Sequence, residues 1–142
     1  GRSPPAGPSI NVTLVVADTS VWARYRDPEI GGELATAVED DRVAILVPLE
    51  LELLRAARDA VELDAAARRY DVLHRIPVTR SIERRALDVQ QRLAARGYHR
   101  GPSAVDLLTA AAAEAVDAEL WHCDRHFDLI AEVTGQPVRR LG

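Results

Sequence analysis

Short apolar runs alternate along this chain with longer segments in which apolar residues recur every three or four positions. The runs predict buried strands, and the helical spacing predicts amphipathic helices between them. The predicted strands lie at residues 12–17, 43–47, 120–123 and 137–141. The predicted helices lie at residues 21–25, 28–40, 49–59, 61–74, 79–96, 103–118 and 127–134. Such alternation predicts an α/β fold built on a parallel sheet.

Four carboxylates follow these predicted strands closely. Asp18 and Asp124 come at the carboxyl ends of two strands, Glu52 lies in the first turns of a helix after another, and Asp106 begins a helix at the same edge. Ligands of parallel α/β sheets bind at that edge, so we expect the four to converge. A pocket with excess negative charge needs a cation, and hard divalent cations such as Mg²⁺ prefer oxygen ligands.

The three aspartates also have ordinary structural explanations. Asp18 and Asp124 each precede a predicted helix and could simply cap it. Ser103 and Asp106 have the spacing of a capping box, in which a serine and an acidic residue satisfy backbone amides at a helix start. Capping and metal binding are compatible, so the sequence leaves both explanations open.

Two acidic positions are ambiguous. Glu50 and Glu52 alternate in the segment PLELELL, and a helical glutamate is usually solvated. The leucines on either side of Glu52 favour its burial, but Glu50 remains an alternative. Asp128 lies four residues after Asp124, so it either faces the same side of a helix or is solvated.

Composition narrows the class of protein. The chain has 142 residues, 47% apolar and 28% charged, as expected of one globular domain. No apolar run approaches the roughly 20 residues of a membrane span, and no signal peptide is apparent, so we expect a cytoplasmic protein that does not associate with membranes. Cys123 is the single cysteine and belongs to no Cys/His cluster, which argues against a disulfide or structural zinc.

The charge of the chain bears on nucleic-acid binding, and its first residues bear on where the folded domain begins. The net charge of −4 argues weakly against nucleic-acid binding, yet all 18 Lys and Arg residues are arginine, the better bidentate phosphate ligand. The chain has no methionine, and residues 1–10 are rich in proline, glycine and serine. We therefore expect a flexible leader or tag remnant over residues 1–10 and a single domain over residues 11–142.

Four segments together resemble the PIN-domain ribonucleases, and specifically the VapC toxins of bacterial toxin–antitoxin pairs. They are DTSVW at 18–22, PLELELLR at 48–55, DLL and the following alanines from 106, and CDRHFD at 123–128. The resemblance extends over essentially the whole chain from residue 12, and it places the glutamate of the family on Glu52. Cys123 stands where relatives often carry threonine or serine, which removes no metal ligand.

The resemblance implies a fold, an activity and partners. The fold is a PIN-like α/β domain with a central parallel sheet of four to five short strands flanked by helices. The activity is that of an endoribonuclease dependent on Mg²⁺ or Mn²⁺, acting on tRNA, rRNA or mRNA. The protein is expected to be a homodimer neutralised by a cognate VapB antitoxin, which binds operator DNA through its other end.

The resemblance also implies roles for the carboxylates. Asp18, Asp106 and Asp124 are expected to hold the metal directly or through water, and Glu52 to hold it or to orient the attacking water. All four are therefore the predicted catalytic residues.

Five further residues are expected to support them. The Ser20 hydroxyl could orient a carboxylate or a metal-bound water, although it is equally explained as an ordinary helix-start hydroxyl. Asp128 could serve a second metal ion. Arg24, Arg100 and Arg125 lie near the predicted active edge and are candidate RNA-binding residues, while solvated surface arginine is the simpler explanation for each.

Two other functions compete with this hypothesis. A haloacid-dehalogenase-like phosphatase also begins with an aspartate after a strand, but its chemistry needs a second aspartate two positions later, where this chain has Ser20. A PIN-like binding module without catalysis is the other alternative. The presence of all four carboxylates gives that alternative little support.

Overall fold

A computed structural model describes residues 13–142 of the chain. The expected leader at residues 1–10 and the first residue of the predicted first strand lie outside the described residues. The strands are β1 (Val15–Ala17), β2 (Val43–Ile45), β3 (His74–Arg75), β4 (Glu119–His122) and β5 (Val138–Arg140). The helices are α1 (Thr19–Trp22), α2 (Pro28–Glu39), α3 (Val47–Leu54), α4 (Ala60–Asp71), α5 (Arg80–Ala94), α6 (Ala104–Ala115) and α7 (Arg125–Thr134).

The strands form one parallel sheet in the order β3-β2-β1-β4-β5, which confirms the predicted α/β fold. The central strand β1 pairs Val15 with Val43 on one side and with Glu119 on the other. The carboxyl ends of β1 and β4 are therefore adjacent, and the amide of Asp18 donates a 2.9 Å hydrogen bond to the carbonyl of Trp121.

The core covers the central strands. Helix α6 contacts β1 and β4, and its alanines from Ala110 to Ala113 are buried, so the helix axis can lie close to the sheet. Phe127 and Ile130 of α7 are fully buried as well. These contacts fix the start of α6 and the start of α7 at the edge where β1 and β4 end. Among residues 13–142, no helix is long and apolar enough to cross a membrane.

Several helices begin or end at residues other than those predicted, and side-chain caps explain two of these differences. Helix α1 begins at Thr19 rather than at residue 21, since the carboxylate of Asp18 accepts a hydrogen bond from the amide of Ser20. Helix α3 spans Val47–Leu54 rather than residues 49–59. Asp59 is not its last residue but the N-cap of α4, where it accepts a hydrogen bond from a backbone amide.

Strand β3 was not predicted, because residues 61–74 were expected to be helical throughout. Helix α4 instead ends at Asp71, and His74–Arg75 pair with β2 at the edge of the sheet. The strand has only two residues, both exposed and polar, so it lacks any apolar signal.

Candidate active site

Asp18 lies at the end of β1 and is almost completely buried, with 4% of its surface exposed. Its Oδ2 accepts hydrogen bonds from the amide and the hydroxyl of Ser20, at 3.0 and 2.8 Å. The Ser20 hydroxyl in turn accepts a 2.9 Å hydrogen bond from the amide of Cys123, just beyond β4. Ser20 therefore connects the exits of two neighbouring strands. Among the described residues, Oδ1 of Asp18 has no hydrogen-bond partner although it is buried.

Asp106 lies in the first turn of α6 and forms the predicted capping box. The amide of Ser103 donates to Oδ2 of Asp106 at 2.9 Å, and the amide of Asp106 donates to the Ser103 hydroxyl at 3.1 Å. Burial nevertheless raises the pKa of Asp106, against the lowering effect of the Ser103 backbone hydrogen bond, and the charges of Asp18 and Asp124 raise it further. The carboxylates of Asp18 and Asp124 are thus close enough to Asp106 for their charges to act on it.

Asp124 caps α7, and its Oδ1 accepts a 2.9 Å hydrogen bond from the amide of His126. The Nδ1 atom of His126 lies 3.4 Å from Oδ1 of Asp124 and 3.8 Å from Oδ2 of Asp106. The imidazole therefore sits between two carboxylates. Each aspartate has a structural role at a helix start, and the same three helix starts bring the carboxylates together.

Glu52 joins this site through Thr19. Thr19 is next to Asp18 in the chain, and its hydroxyl donates a 2.6 Å hydrogen bond to Oε1 of Glu52. Glu50 is directed elsewhere, because its carboxylate pairs with Arg75 of β3. Only one of the two candidate glutamates is thus held beside the aspartates.

The sequence argument for the burial of Glu52 was wrong. Glu50 is the more buried glutamate, with 9% of its surface exposed, and Leu51 is 60% exposed. Burial alone would have favoured Glu50. The neighbours of each carboxylate, rather than its burial, separate the two.

Comparison with known proteins gives this arrangement a family. A model of the PIN domain matches residues 15–133. The chain belongs to the PIN domain family. Within it, ribonuclease VapC18 of Mycobacterium tuberculosis is 39% identical over 122 residues, which cover 84% of this chain and 89% of that protein. Ribonuclease VapC51 of the same organism is 39% identical over 120 residues, which cover 84% of this chain and 87% of that protein. The predicted relationship to VapC proteins is confirmed.

Solved structures share the fold. VapBC2 from Rickettsia felis, bound to a promoter DNA fragment, matches with a TM-score of 0.72 and 14% identity over 92% of this chain and 100% of that chain. VapBC-5 from Mycobacterium tuberculosis matches with a TM-score of 0.61 and 24% identity, over 91% of this chain and 98% of that chain. These likenesses establish a PIN-like architecture across nearly the whole chain.

Asp128 of this PIN domain lies in a second polar cluster. Its Oδ2 pairs with Arg140 of β5 at 3.3 Å, and its Oδ1 lies 3.3 Å from Nε2 of His122, outside hydrogen-bond geometry. His122 is fully buried, and this burial lowers its pKa. The Nδ1 atom of His122 accepts a 3.2 Å hydrogen bond from the amide of Asp124. Asp128 thus contacts a residue behind the site rather than the three aspartates themselves.

The three arginines considered for RNA binding are exposed at the same edge of the sheet. Arg24 donates a 2.6 Å hydrogen bond from Nη1 to the carbonyl of Ser20. Arg100 lies in the loop before α6, and Arg125 is the first residue of α7. Within residues 13–142, none of the three forms an ion pair with a carboxylate.

The donor set of the PIN domain fits a hard divalent cation held partly through water. No three acidic, histidine or cysteine side chains of residues 13–142 are gathered closely enough to enclose an ion by themselves. Oδ1 of Asp18 is buried without a partner among the described residues, and the charges of Asp18 and Asp124 both act on Asp106, so a cation here would meet carboxylate oxygens. Mg²⁺ commonly keeps several waters and binds through one or two carboxylates, so it does not need three side chains gathered around it.

Two residues at the site were not assigned roles from the sequence. Thr19 belongs to the segment DTSVW, and nothing in the sequence connects it with Glu52, 33 positions away. His126 belongs to the segment CDRHFD and is not among the predicted site residues. A side chain added at Gly101 would meet its ring at 3.4 Å, so the loop before α6 passes in contact with the imidazole.

Proposed function

We propose that this PIN domain is an endoribonuclease toxin that hydrolyses RNA phosphodiester bonds with Mg²⁺ or Mn²⁺. The observation that carries the proposal is that Asp106 and Asp124 both lie beside the His126 ring, while Ser20 joins Asp18 to the strand exit before Asp124. Among the described residues, the buried Oδ1 of Asp18 has no hydrogen-bond partner. Relatives of 39% identity named ribonucleases support the reaction class.

The residues divide the chemistry between them. Asp18, Asp106 and Asp124 would hold the metal ion. When bound, such an ion lowers the pKa of a coordinated water and screens charge on the phosphate. Ser20 fixes Oδ2 of Asp18, so that Oδ1 remains available as a ligand.

Glu52 is the residue suited to handle the proton of the attacking water. Its Oε1 is occupied by the Thr19 hydroxyl, which fixes the orientation of the carboxylate. Oε2 can then accept a proton, since an ionised carboxylate offers acceptor positions on both oxygens. Asp128 would support the site through His122, whose Nδ1 accepts a hydrogen bond from the Asp124 amide. A second metal ion at Asp128 stays a prediction.

The proposal includes a VapB antitoxin, a homodimer, and contact with operator DNA through the antitoxin alone. The similar solved structures include VapBC complexes, among them one bound to a promoter DNA fragment and one described as DNA-bound, which supports such a partner. Helices α3 and α4 contact each other and carry the exposed apolar side chains Val47, Leu51, Val61 and Leu63. Because α3 also carries Glu52, a partner covering this surface would lie beside the catalytic carboxylates.

The reaction can be tested with purified protein and total RNA. Wild-type protein should cleave RNA with Mg²⁺ or Mn²⁺ and lose activity in excess EDTA. Asp106→Asn should lose metal-dependent cleavage and should bind Mn²⁺ more weakly in a calorimetric titration. Full activity of Asp106→Asn, or equal activity of wild type with and without EDTA, would rule out the proposed mechanism.

A further inference from the structure

A tyrosine flanked by two arginines follows helix α1 on the surface of the protein. Tyr25 is 60% exposed, and Arg24 and Arg26 on either side of it are exposed too. Nε of Arg26 donates a 3.0 Å hydrogen bond to the Tyr25 hydroxyl, and its guanidinium carbon lies 5.5 Å from the ring centroid. The aromatic ring is therefore presented to solvent with positive charge beside it.

The loop that carries this ring is held firmly in place. The amide of Tyr25 donates a 3.2 Å hydrogen bond to the carbonyl of Trp22, and the amide of Asp27 donates a 2.9 Å hydrogen bond to the carbonyl of Arg24. A side chain at Gly31 of α2 would overlap the carbonyl oxygen of Tyr25 and lie 2.7 Å from its carbonyl carbon. Only glycine permits this close packing, which fixes the backbone that carries the ring.

The loop is also connected directly to the catalytic carboxylates. Arg24 donates to the carbonyl of Ser20, whose hydroxyl donates to Asp18. Tyr25 follows Asp18 by seven positions, through the four residues of α1 and the turns after it, so only a short stretch of backbone separates the two. A substrate phosphate at the aspartates would place a neighbouring nucleotide within reach of the ring.

We propose that Tyr25, with Arg24 and Arg26, forms a subsite on which an unpaired RNA base stacks beside the cleavage site. The proposal rests on the proposed ribonuclease activity and adds the residues that would hold a base next to the cleaved phosphate. Aromatic side chains stack on unpaired bases whatever their sequence, and arginines bind the flanking phosphates.

A protein partner is the competing occupant, because tyrosine and arginine are frequent at protein interfaces. The surroundings of the ring favour RNA. The residues next to Tyr25 are charged and polar, whereas the exposed apolar side chains of the described chain are concentrated on α3 and α4. A protein partner at Tyr25 would leave RNA binding unchanged after substitution, an outcome the experiment below distinguishes.

The test measures binding of labelled short RNA of random sequence to Asp18→Asn protein in the presence of Mg²⁺, by fluorescence anisotropy. Adding Tyr25→Ala should weaken binding of single-stranded RNA by about tenfold, and of duplex RNA far less, because stacking on an aromatic contributes about 1–3 kcal/mol per base. Tyr25→Phe should stay within about twofold of the parent, since the ring is retained.

Arg84→Ala is the control for loss of a large exposed side chain away from the proposed subsite. Arg84 is exposed in α5 beside Arg85, which bonds Glu114 at 2.6 Å. Glu114 lies at the opposite end of α6 from Asp106, about 12 Å away at 1.5 Å per residue. Arg84→Ala should therefore leave binding nearly unchanged.

Three results would overturn the stacking subsite: unchanged binding in Tyr25→Ala, equal loss with single-stranded and duplex RNA, or equal loss in Tyr25→Phe. In otherwise wild-type protein, Tyr25→Ala should raise KM for single-stranded RNA with little change in kcat. If wild type cleaves RNA and Tyr25→Ala is indistinguishable from it, the subsite is wrong and the ribonuclease proposal stands. If wild type cleaves no RNA, the ribonuclease proposal fails instead.

Discussion

The hydroxyl of Thr19 donates a 2.6 Å hydrogen bond to the carboxylate of Glu52, joining the residue after Asp18 to helix α3. This bond determines which oxygen of Glu52 is free, and it fixes a flexible side chain next to the aspartates. Thr19 is therefore a positioning residue for the proposed catalytic glutamate.

Replacing Thr19 with valine tests this role. Thr19→Val keeps the shape of the side chain and removes the donor, so Glu52 loses its fixed orientation. We expect kcat for RNA cleavage to fall by about tenfold, within the range that a positioned acid–base group contributes, and Thr19→Ser to restore most of the rate. The free energy of unfolding should change by only about 1 kcal/mol. An unchanged kcat in Thr19→Val would show that the bond does not position the catalytic group.

The two glutamates of α3 should separate function from stability. Glu52→Gln should lower kcat by about 10² or more, because an amide cannot accept the proton. Glu50→Gln should keep cleavage close to wild type and lower the free energy of unfolding by about 1–3 kcal/mol, because Arg75 loses its charged partner. Cleavage assays and chemical denaturation of both variants provide the comparison. The reverse pattern would assign the catalytic role to Glu50.

The raised pKa of Asp106 predicts how stability depends on pH and metal. Burial is the main cause of the shift, and Asp18 and Asp124 add to it. The folded protein thus holds this proton more tightly than the unfolded chain. The stabilising contribution is fully present below the ordinary value of 3.8 and is lost as pH rises through the folded pKa.

Asp106→Asn should therefore raise Tm at neutral pH in EDTA, and the difference should shrink as the solution is acidified. Adding Mg²⁺ should raise Tm of wild type more than that of the variant, since bound cation relieves the repulsion. Differential scanning fluorimetry across pH, with and without Mg²⁺, measures both effects. A lower Tm for Asp106→Asn at neutral pH in EDTA would contradict the repulsion among the aspartates.

The two adjacent glycines of α2 make a matched pair. Gly31→Ala should destabilise the protein by about 1–3 kcal/mol, because its methyl group would overlap the Tyr25 carbonyl. Gly32→Ala should stabilise it by about 0.5–1 kcal/mol, since nothing lies within 4 Å and alanine favours the helix. Urea denaturation of both variants measures the two changes. Equal effects at the two positions would mean that the Tyr25 loop does not pack on α2.

The sequence was most informative where one local signal dominates. The apolar runs around β1, β2 and β4 predicted a parallel sheet, and the aspartates at two strand exits predicted where the site lies. The two-residue strand β3 has exposed polar side chains and could not be found from an apolar pattern.

The details of the site depend on contacts between distant segments. Glu50 and Glu52 are two positions apart on a helix and face different ways, so their partners, Arg75 and Thr19, decide their roles. Neither partner is near in sequence, and no local pattern could have identified it. The pairing of Asp128 with Arg140 across α7 and β5 was unpredictable for the same reason.

If the aspartates hold the catalytic metal ion, RNA cleavage in cells should depend on them. The most direct measurement is sequencing of RNA 5′ ends from cells after brief induction of wild type, Asp18→Asn or Asp128→Asn. We expect new 5′ ends at defined sites with wild type and none with Asp18→Asn. Most of the new ends should be retained with Asp128→Asn, because Asp128 lies in the second polar cluster with His122 and Arg140. The same new ends with Asp18→Asn as with wild type, at equal protein levels, would contradict the account.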